Sequence, residues 1–201
     1  MPIIQSVEVT AVSVPLDHVT SFSTRTVSER HYCLVKVRSK DGHEGIGFCY
    51  VGSAAGELVK LAVEQLFAPK LIGQDSHRTE GIWQEMYTES ILQGRSGSVM
   101  RAISILDIAL WDLNAQSVNL PLHRYMGSFV NDRVPAYASG GYYLDGKTPA
   151  KLGKEMEGYV KLGFKAVKMK TGRLSPKEEE ARLKAVRSAV GPDIIVTMDA
   201  N

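Results

Sequence analysis

Polar and apolar residues alternate along the first stretch of the chain. Ile3 to Pro15 sets Ile4, Ser6, Glu8 and Thr10 against Ile3, Val7, Val9, Val12 and Val14, the pattern of an imperfect half-buried strand. Residues 17–30 lose the alternation and are rich in Ser and Thr, which predicts a long loop, a type of segment that is often functional. Tyr32 to Arg38 predicts a second strand, with Cys33, Val35 and Val37 on one face and Lys36 and Arg38 on the other. Lys40-Asp41-Gly42 is a hairpin turn, and Glu44 to Tyr50 returns as a third strand. Gly45 and Gly47 in that strand predict close approach of another backbone.

Helical spacing follows. Glu57 to Leu66 carries Leu58, Leu61, Ala62 and Leu66, and Thr79 to Glu89 is shorter and more polar. In Ser98 to Ser117, Val99, Ala102, Ile103, Leu106, Ala109, Leu110 and Leu113 form one stripe. Ile105, Ile108 and Trp111 broaden it, so this helix is expected to be buried on most sides.

After Gly127 the pattern changes. Arg133 to Ser139 reads as a strand. Thr148-Pro149 opens a helix with Thr at the N-cap and Pro at the first position, Leu152, Met156, Tyr159 and Val160 face inward, and Gly163 closes it. Phe164 to Lys170 is a strand. Ser175-Pro176-Lys177-Glu178 is a capping box, Leu183, Val186 and Val190 face inward, and Gly191-Pro192 stops the helix. Asp193 to Asn201 is a further strand. Strand, helix, strand, helix, strand at this spacing means parallel βαβ units.

The expected architecture is an α+β capping domain over residues 1–128, followed over 129–201 by the first three strands of a parallel (β/α) TIM-type barrel. A complete barrel of this kind takes about 250 residues. The barrel is therefore expected to be incomplete, and the chain to be truncated.

Composition excludes several classes. Of 201 residues, 44% are hydrophobic, enough for a real core. Lys and Arg number 24 against 22 Asp and Glu, without a basic run, so nucleic acid is not an expected partner. No window approaches the ~20 apolar residues of a membrane span, so no membrane partner is expected. Met1 to Gln5 has no basic segment leading into an apolar one, which reads as a mature cytoplasmic protein. Cys33 and Cys49 fall on strands expected to pair, and in that compartment they read as reduced, partly buried thiols.

The candidate chemistry lies on two of the parallel strands. Strand parity puts Ala166, Lys168 and Lys170 on one face, and Ile195, Thr197, Asp199 and Asn201 on one face of the next strand. Polar groups thus collect at the C-terminal strand ends, where α/β barrels build their sites. Charges on that interior face are costly unless paired or liganded. A lone Lys-x-Lys is usually a solvated strand edge, and a lone Asp after a strand is often a helix cap. Together they suit proton abstraction next to a carboxylate: Mg²⁺ takes carboxylate oxygens and stabilises an enediolate, and a lysine serves as base. Repulsion between the two ammonium groups is expected to lower their pKa values and so help Lys170 act as that base.

At these residues the sequence resembles the mandelate racemase/muconate lactonizing enzyme family of the enolase superfamily. The matching stretches are Phe164-Lys165-Ala166-Val167-Lys168-Met169-Lys170 and Met198-Asp199-Ala200-Asn201. Asp107-Ile108-Ala109-Leu110-Trp111-Asp112, Leu120-Pro121-Leu122 and Val134-Pro135-Ala136-Tyr137-Ala138-Ser139-Gly140 add to them. The resemblance implies a Mg²⁺-dependent lyase or isomerase, an acid-sugar dehydratase or else a racemase, epimerase or cycloisomerase, acting on a small carboxylate substrate. It implies Lys170 as catalytic base, Lys168 as its partner, Asp199 as the first of three acidic metal ligands, and Asn201 and Ser139 as substrate contacts. Arg25 and His18, in the loop 17–30, become candidates for specificity, with plain solvation as the simpler reading. The turn after Tyr50 is expected to join that loop over the substrate. A homo-oligomer is implied for the full-length protein. With one ligand of three, the 201-residue chain alone is expected to be inactive. Two other readings fit the same residues: a Schiff-base aldolase using Lys168 or Lys170, and a non-catalytic binding or interaction protein that keeps the cap and a partial barrel.

Overall fold

A computed structural model describes residues 1–52, 54–128 and 133–201. The expected domain boundary at 128/129 adjoins residues 129–132, and the turn after Tyr50 contains Ser53; those positions lie outside the described residues. The chain divides into two compact units, one of residues 1–15 and 29–132, the other of residues 16–28 and 133–201.

In the first unit, strands β1 (Ile4–Ser21), β2 (Thr26–Ser39) and β3 (Glu44–Tyr50) form a sheet in the order β1-β2-β3, although the distal ends of β1 and β2 belong to the second unit. β2 and β3 pair antiparallel with Cys33 opposite Cys49 and Arg38 opposite Glu44, joined by the turn in which Gly42 takes φ 90°. Both thiols are free. Burial, with a smaller contribution from Cys49, pushes the Cys33 thiol up to about 11, so it stays protonated and inert.

Helices α1 (Gly56–Ala62), α2 (Ala68–Leu71), α3 (Thr79–Glu89), α4 (Gly97–Ser117) and α5 (Leu122–Tyr125) complete the unit, with a π-helical turn, Val63–Phe67, between α1 and α2. The inner face of α1 and the turn after it differs in part from expectation: Ala62 is buried as expected, together with Val59, Val63 and Phe67, whereas Leu58 and Leu61 are exposed. The segment is apolar on adjoining faces, so periodicity alone does not choose between them. In α4 the expected stripe is buried from Ala102 to Leu113, with Ile105 added and Ile108 left exposed. β3 lies directly on α4. A Cβ at Gly45 would come within 2.1 Å of the Ala109 carbonyl oxygen, and one at Gly47 within 2.1 Å of that of Ile105. The contact explains both glycines, and Asp112 adds to it by accepting the Ile46 N–H at 2.9 Å.

The distal parts of β1 and β2 overturn the expected loop at 17–30. Residues 16–21 and 26–28 are strand, and the turn 22–25 is closed by a 3.0 Å bond from the Phe22 N–H to the Arg25 carbonyl. Exposure dominates on both faces of β1 from Ser13 to Val19, so the segment carries no apolar alternation to read.

In the second unit, β4 (Ala138–Gly140), β5 (Ala166–Lys170) and β6 (Ile195–Asp199) form a parallel sheet in that order, with α6 (Pro149–Lys161) and α7 (Pro176–Val190) as crossovers. Both caps form as the sequence predicts. Thr148 Oγ1 accepts the Lys151 N–H at 3.3 Å, and Ser175 and Glu178 close a capping box. Leu152, Met156, Val186 and Val190 pack with Val167 and Met169 in a core between helices and sheet. The expected strand Arg133–Ser139 shrinks to Ala138–Gly140. β5 begins only at Ala166, one residue before the partner of Ala138, so the segment upstream has no strand to pair with.

Candidate active site

The parallel register places Ser139, Lys168 and Thr197 in one row across the three strands, and Lys170 beside Asp199 one step further toward the C-terminal ends. Val167 and Met169, with the opposite parity, are fully buried in the helix-facing core. The other face therefore carries the charges. Lys168 Nζ donates to Asp199 Oδ2 at 2.8 Å, and Lys170 Nζ donates to the same oxygen at 2.7 Å. Lys170 Nζ also donates to Asn201 Oδ1 at 2.8 Å, while the Asn201 N–H donates to Asp199 Oδ1 at 2.9 Å. Side-chain exposure is 14% for Lys168, 9% for Lys170 and 32% for Asp199. The structure thus brings four predicted residues into one cluster. Ser139 is exposed in the row of Lys168, whereas His18 on β1 and Arg25 on the hairpin turn are exposed side chains outside it.

One carboxylate balances two ammonium groups, so with both lysines charged the cluster keeps a net positive charge suited to an anionic ligand. Hydrogen bonds from Lys168 and then Lys170, with the Asn201 N–H, hold the Asp199 carboxyl far below the ordinary carboxylate range. The repulsion expected between the lysines does not decide the state of Lys168. Burial pulls its ammonium down, but the hydrogen bond and charge of Asp199, with smaller contributions from Tyr142 and Tyr137, outweigh burial and raise it.

Mg²⁺ requires hard oxygen donors. Asp199 offers a carboxylate, so it fits as one member of a ligand set. Among the described residues, no group of three or more His, Cys, Asp and Glu side chains could hold a metal ion.

Sequence reasoning missed the surroundings of Lys170. Its Nζ lies 5.4 Å from the centroid of the Phe22 ring and 5.9 Å from that of Tyr142. Phe22 sits at the hairpin turn, where Ser23 Oγ is buried with no hydrogen-bond partner among the described residues. Beyond the lysines, Glu179 Oε1 accepts the N–H groups of Gly172, Arg173 and Leu174 at 3.1, 3.2 and 3.1 Å, and the Tyr143 hydroxyl as well. Glu179 Oε2 takes Arg182 Nη1 at 2.9 Å, and Arg182 Nη2 donates to the Gly141 carbonyl at 2.8 Å. The Gly140-Gly141-Tyr142-Tyr143 run after a strand is the available signal for these loops.

Capped helices alternate with parallel strands, and charged side chains gather at the strand C-termini, the arrangement of an α/β unit. The description "Mandelate racemase / muconate lactonizing enzyme, N-terminal domain" matches residues 4–127, and "Enolase C-terminal domain-like" matches residues 151–201. The chain belongs to the mandelate racemase/muconate lactonizing enzyme family. It is 35% identical over 166 residues to an arabinonate dehydratase of Saccharolobus solfataricus, covering 83% of this chain and 44% of the relative. It is also 35% identical over 168 residues to a 3,6-anhydro-alpha-L-galactonate cycloisomerase of Streptomyces coelicolor, covering 83% and 45%. The crystal structure of a racemase from Streptomyces coelicolor with bound magnesium superposes with a TM-score of 0.91 at 32% identity, over 99% of this chain and 55% of that one. The chain spans a little under half the length of the curated relatives it matches. Among the described residues, no helix is long and apolar enough to cross a membrane.

Proposed function

We propose that this chain supplies the N-terminal part of a Mg²⁺-dependent enzyme that removes the α-proton of a small carboxylate substrate, an acid sugar or similar hydroxy acid. Residues 1–128 act as its cap and 129–201 as the first three units of its barrel. The observation that carries the reading is the shared oxygen: Lys168 and Lys170 both reach Asp199 Oδ2 at the C-terminal ends of adjacent parallel strands.

In this reading Lys170 is the base. Its Nζ takes the α-proton, and the electron pair of the broken C–H bond moves into the substrate carboxylate. Lys168, kept charged by Asp199, holds that carboxylate and tempers its growing negative charge. Asp199 is one metal ligand, and Asn201 and Ser139 face the substrate. Mg²⁺, when bound, offsets the charge that makes the α-proton hard to remove. In a dehydration the enediolate's electron pair forms the carbon–carbon double bond and expels the β-hydroxyl, which takes up a proton and leaves as water. Support for dehydration or cycloisomerisation comes from the relatives, whose names describe those reactions on sugar-derived acids.

The test is a panel of acid sugars offered with Mg²⁺ to the full protein that carries these residues. Formation of a 2-keto-3-deoxy acid or an isomer, lost with EDTA, supports the reading. Activity indifferent to EDTA, with substrate trapped on a lysine by borohydride, contradicts it and favours the Schiff-base alternative.

A further inference from the structure

We infer that Glu179 is a positioning residue: it holds the β1–β2 hairpin turn and the loops after β4 and β5 together around Lys170. None of its contacts reaches a lysine, and its effect runs through three segments.

The first is the loop after β5. Gly172, Arg173 and Leu174 point successive N–H groups at Glu179 Oε1. A carboxylate that accepts several backbone N–H groups fixes the loop that donates them. That loop follows Lys170 directly, and Thr171 N–H bonds the Asp199 carbonyl at 3.0 Å. The second is the loop after β4. The Tyr143 hydroxyl donates to the same Oε1, the Arg182 guanidinium stacks 4.0 Å from the Tyr143 ring, and Arg182 ties the Gly141 carbonyl. Tyr142, between Gly141 and Tyr143, is one of the rings beside Lys170.

The third segment is the hairpin turn, which Glu179 reaches only through the other two. Ser21 and Tyr143 exchange two backbone hydrogen bonds, each 3.0 Å, and Arg173 Nη1 donates to the Phe22 carbonyl at 3.3 Å. Both anchors of the turn are thus residues that Glu179 holds. Phe22 is the other ring beside Lys170. The Glu179 side chain is 15% exposed and that of Arg182 7%, so water competes little for these bonds.

This role of Glu179 does not depend on Lys170 being a base. It is tested without substrate or metal, so its failure and the failure of the proposed function are separate results. Amide hydrogen exchange is measured on the 201-residue chain and on Glu179→Ala, Glu179→Gln and Tyr143→Phe. In Glu179→Ala, exchange at Ser21, Tyr143 and Gly172–Leu174 rises by roughly tenfold or more, the effect of losing more than one hydrogen bond. Val167 and Met169 keep their rates. Glu179→Gln, which retains an acceptor oxygen, restores most of the protection at Gly172–Leu174. Tyr143→Phe raises exchange at Ser21 and Tyr143, and in part at Arg173, whose N–H also reaches the Tyr143 hydroxyl at 3.2 Å, while leaving Gly172 and Leu174 protected. Unchanged exchange at Ser21 in Glu179→Ala overturns the inference, as does an equal rise at Val167 and Met169, which marks general loss of stability. If Glu179→Ala does not fold, Tyr143→Phe decides, and an unchanged Ser21 rate there overturns it.

Discussion

Lys170 and Asp199 are register partners on adjacent parallel strands, and Lys170 Nζ reaches Asp199 Oδ2 at 2.7 Å. Because Lys168 reaches the same oxygen, removing the carboxylate strands two cations on a nearly buried face. Losing one partner of a fully buried pair costs about 3–5 kcal/mol. Asp199 keeps 32% of its side-chain surface, so Asp199→Ala is expected to cost less, about 2–3 kcal/mol in urea denaturation. Adding Lys168→Met, which removes one of the repelling charges, recovers part of that loss.

The contact of β3 with α4 makes a second prediction. At Gly47 a Cβ would meet the Ile105 carbonyl oxygen at 2.1 Å, and neither backbone can yield without separating sheet from helix. Gly47→Ala is expected to destabilise by about 3 kcal/mol or more. At Gly158, inside α6, an added Cβ would meet no atom within 4 Å. Gly158→Ala is expected to stabilise by about 0.5–1 kcal/mol, read as a higher urea midpoint.

Acid stability tests the Glu179 contacts. Burial pushes this carboxyl up, but the Tyr143 hydroxyl, the Leu174 and Arg173 N–H groups and the Arg182 charge outweigh burial and leave it below the ordinary value. A depressed carboxyl stabilises the fold fully above its unfolded pKa of about 4.3, and that contribution is lost as pH falls through the folded value. The stability gap between the native chain and Glu179→Gln is therefore flat from about pH 7 to about pH 5 and closes below about pH 4. Thermal melts across this range check it, and a gap that widens in acid contradicts it.

The capping box of α7 gives a smaller effect. Ser175 accepts the Glu178 N–H, and Glu178 Oε2 takes the Ser175 N–H at 3.0 Å. Ser175→Ala removes the first of these bonds, together with the 2.6 Å bond from the Ser175 hydroxyl to Glu178 Oε2, and is expected to cost about 1 kcal/mol by denaturation.

What can be read from the sequence depends on burial. β3, α3, α6 and α7 have one buried face or a strong cap, and their pattern announces them. Strand parity likewise puts Lys168, Lys170, Asp199 and Asn201 on common faces without any knowledge of contacts. The hairpin at 16–28 is hard to read because the strand leading into it is exposed on both faces from Ser13 to Val19. In α1 the pattern points wrongly to Leu58 and Leu61 because its apolar residues run around more than one face. Phe22, Tyr142 and the Glu179–Arg182 pair escape notice for another reason: they come from three segments far apart in sequence that meet only after folding. The lowering expected for the lysine pKa values fails at Lys168, because repulsion between cations leaves out the carboxylate between them.

The central claim is that Lys170 takes the α-proton. Its most direct test is exchange of that hydrogen with solvent, followed by proton NMR in D₂O with Mg²⁺ and an acid-sugar substrate, in the full protein that carries these residues. The account predicts exchange or deuterated product in the native protein and none with Lys170→Met, while that variant still binds substrate. Undiminished exchange in Lys170→Met would contradict it.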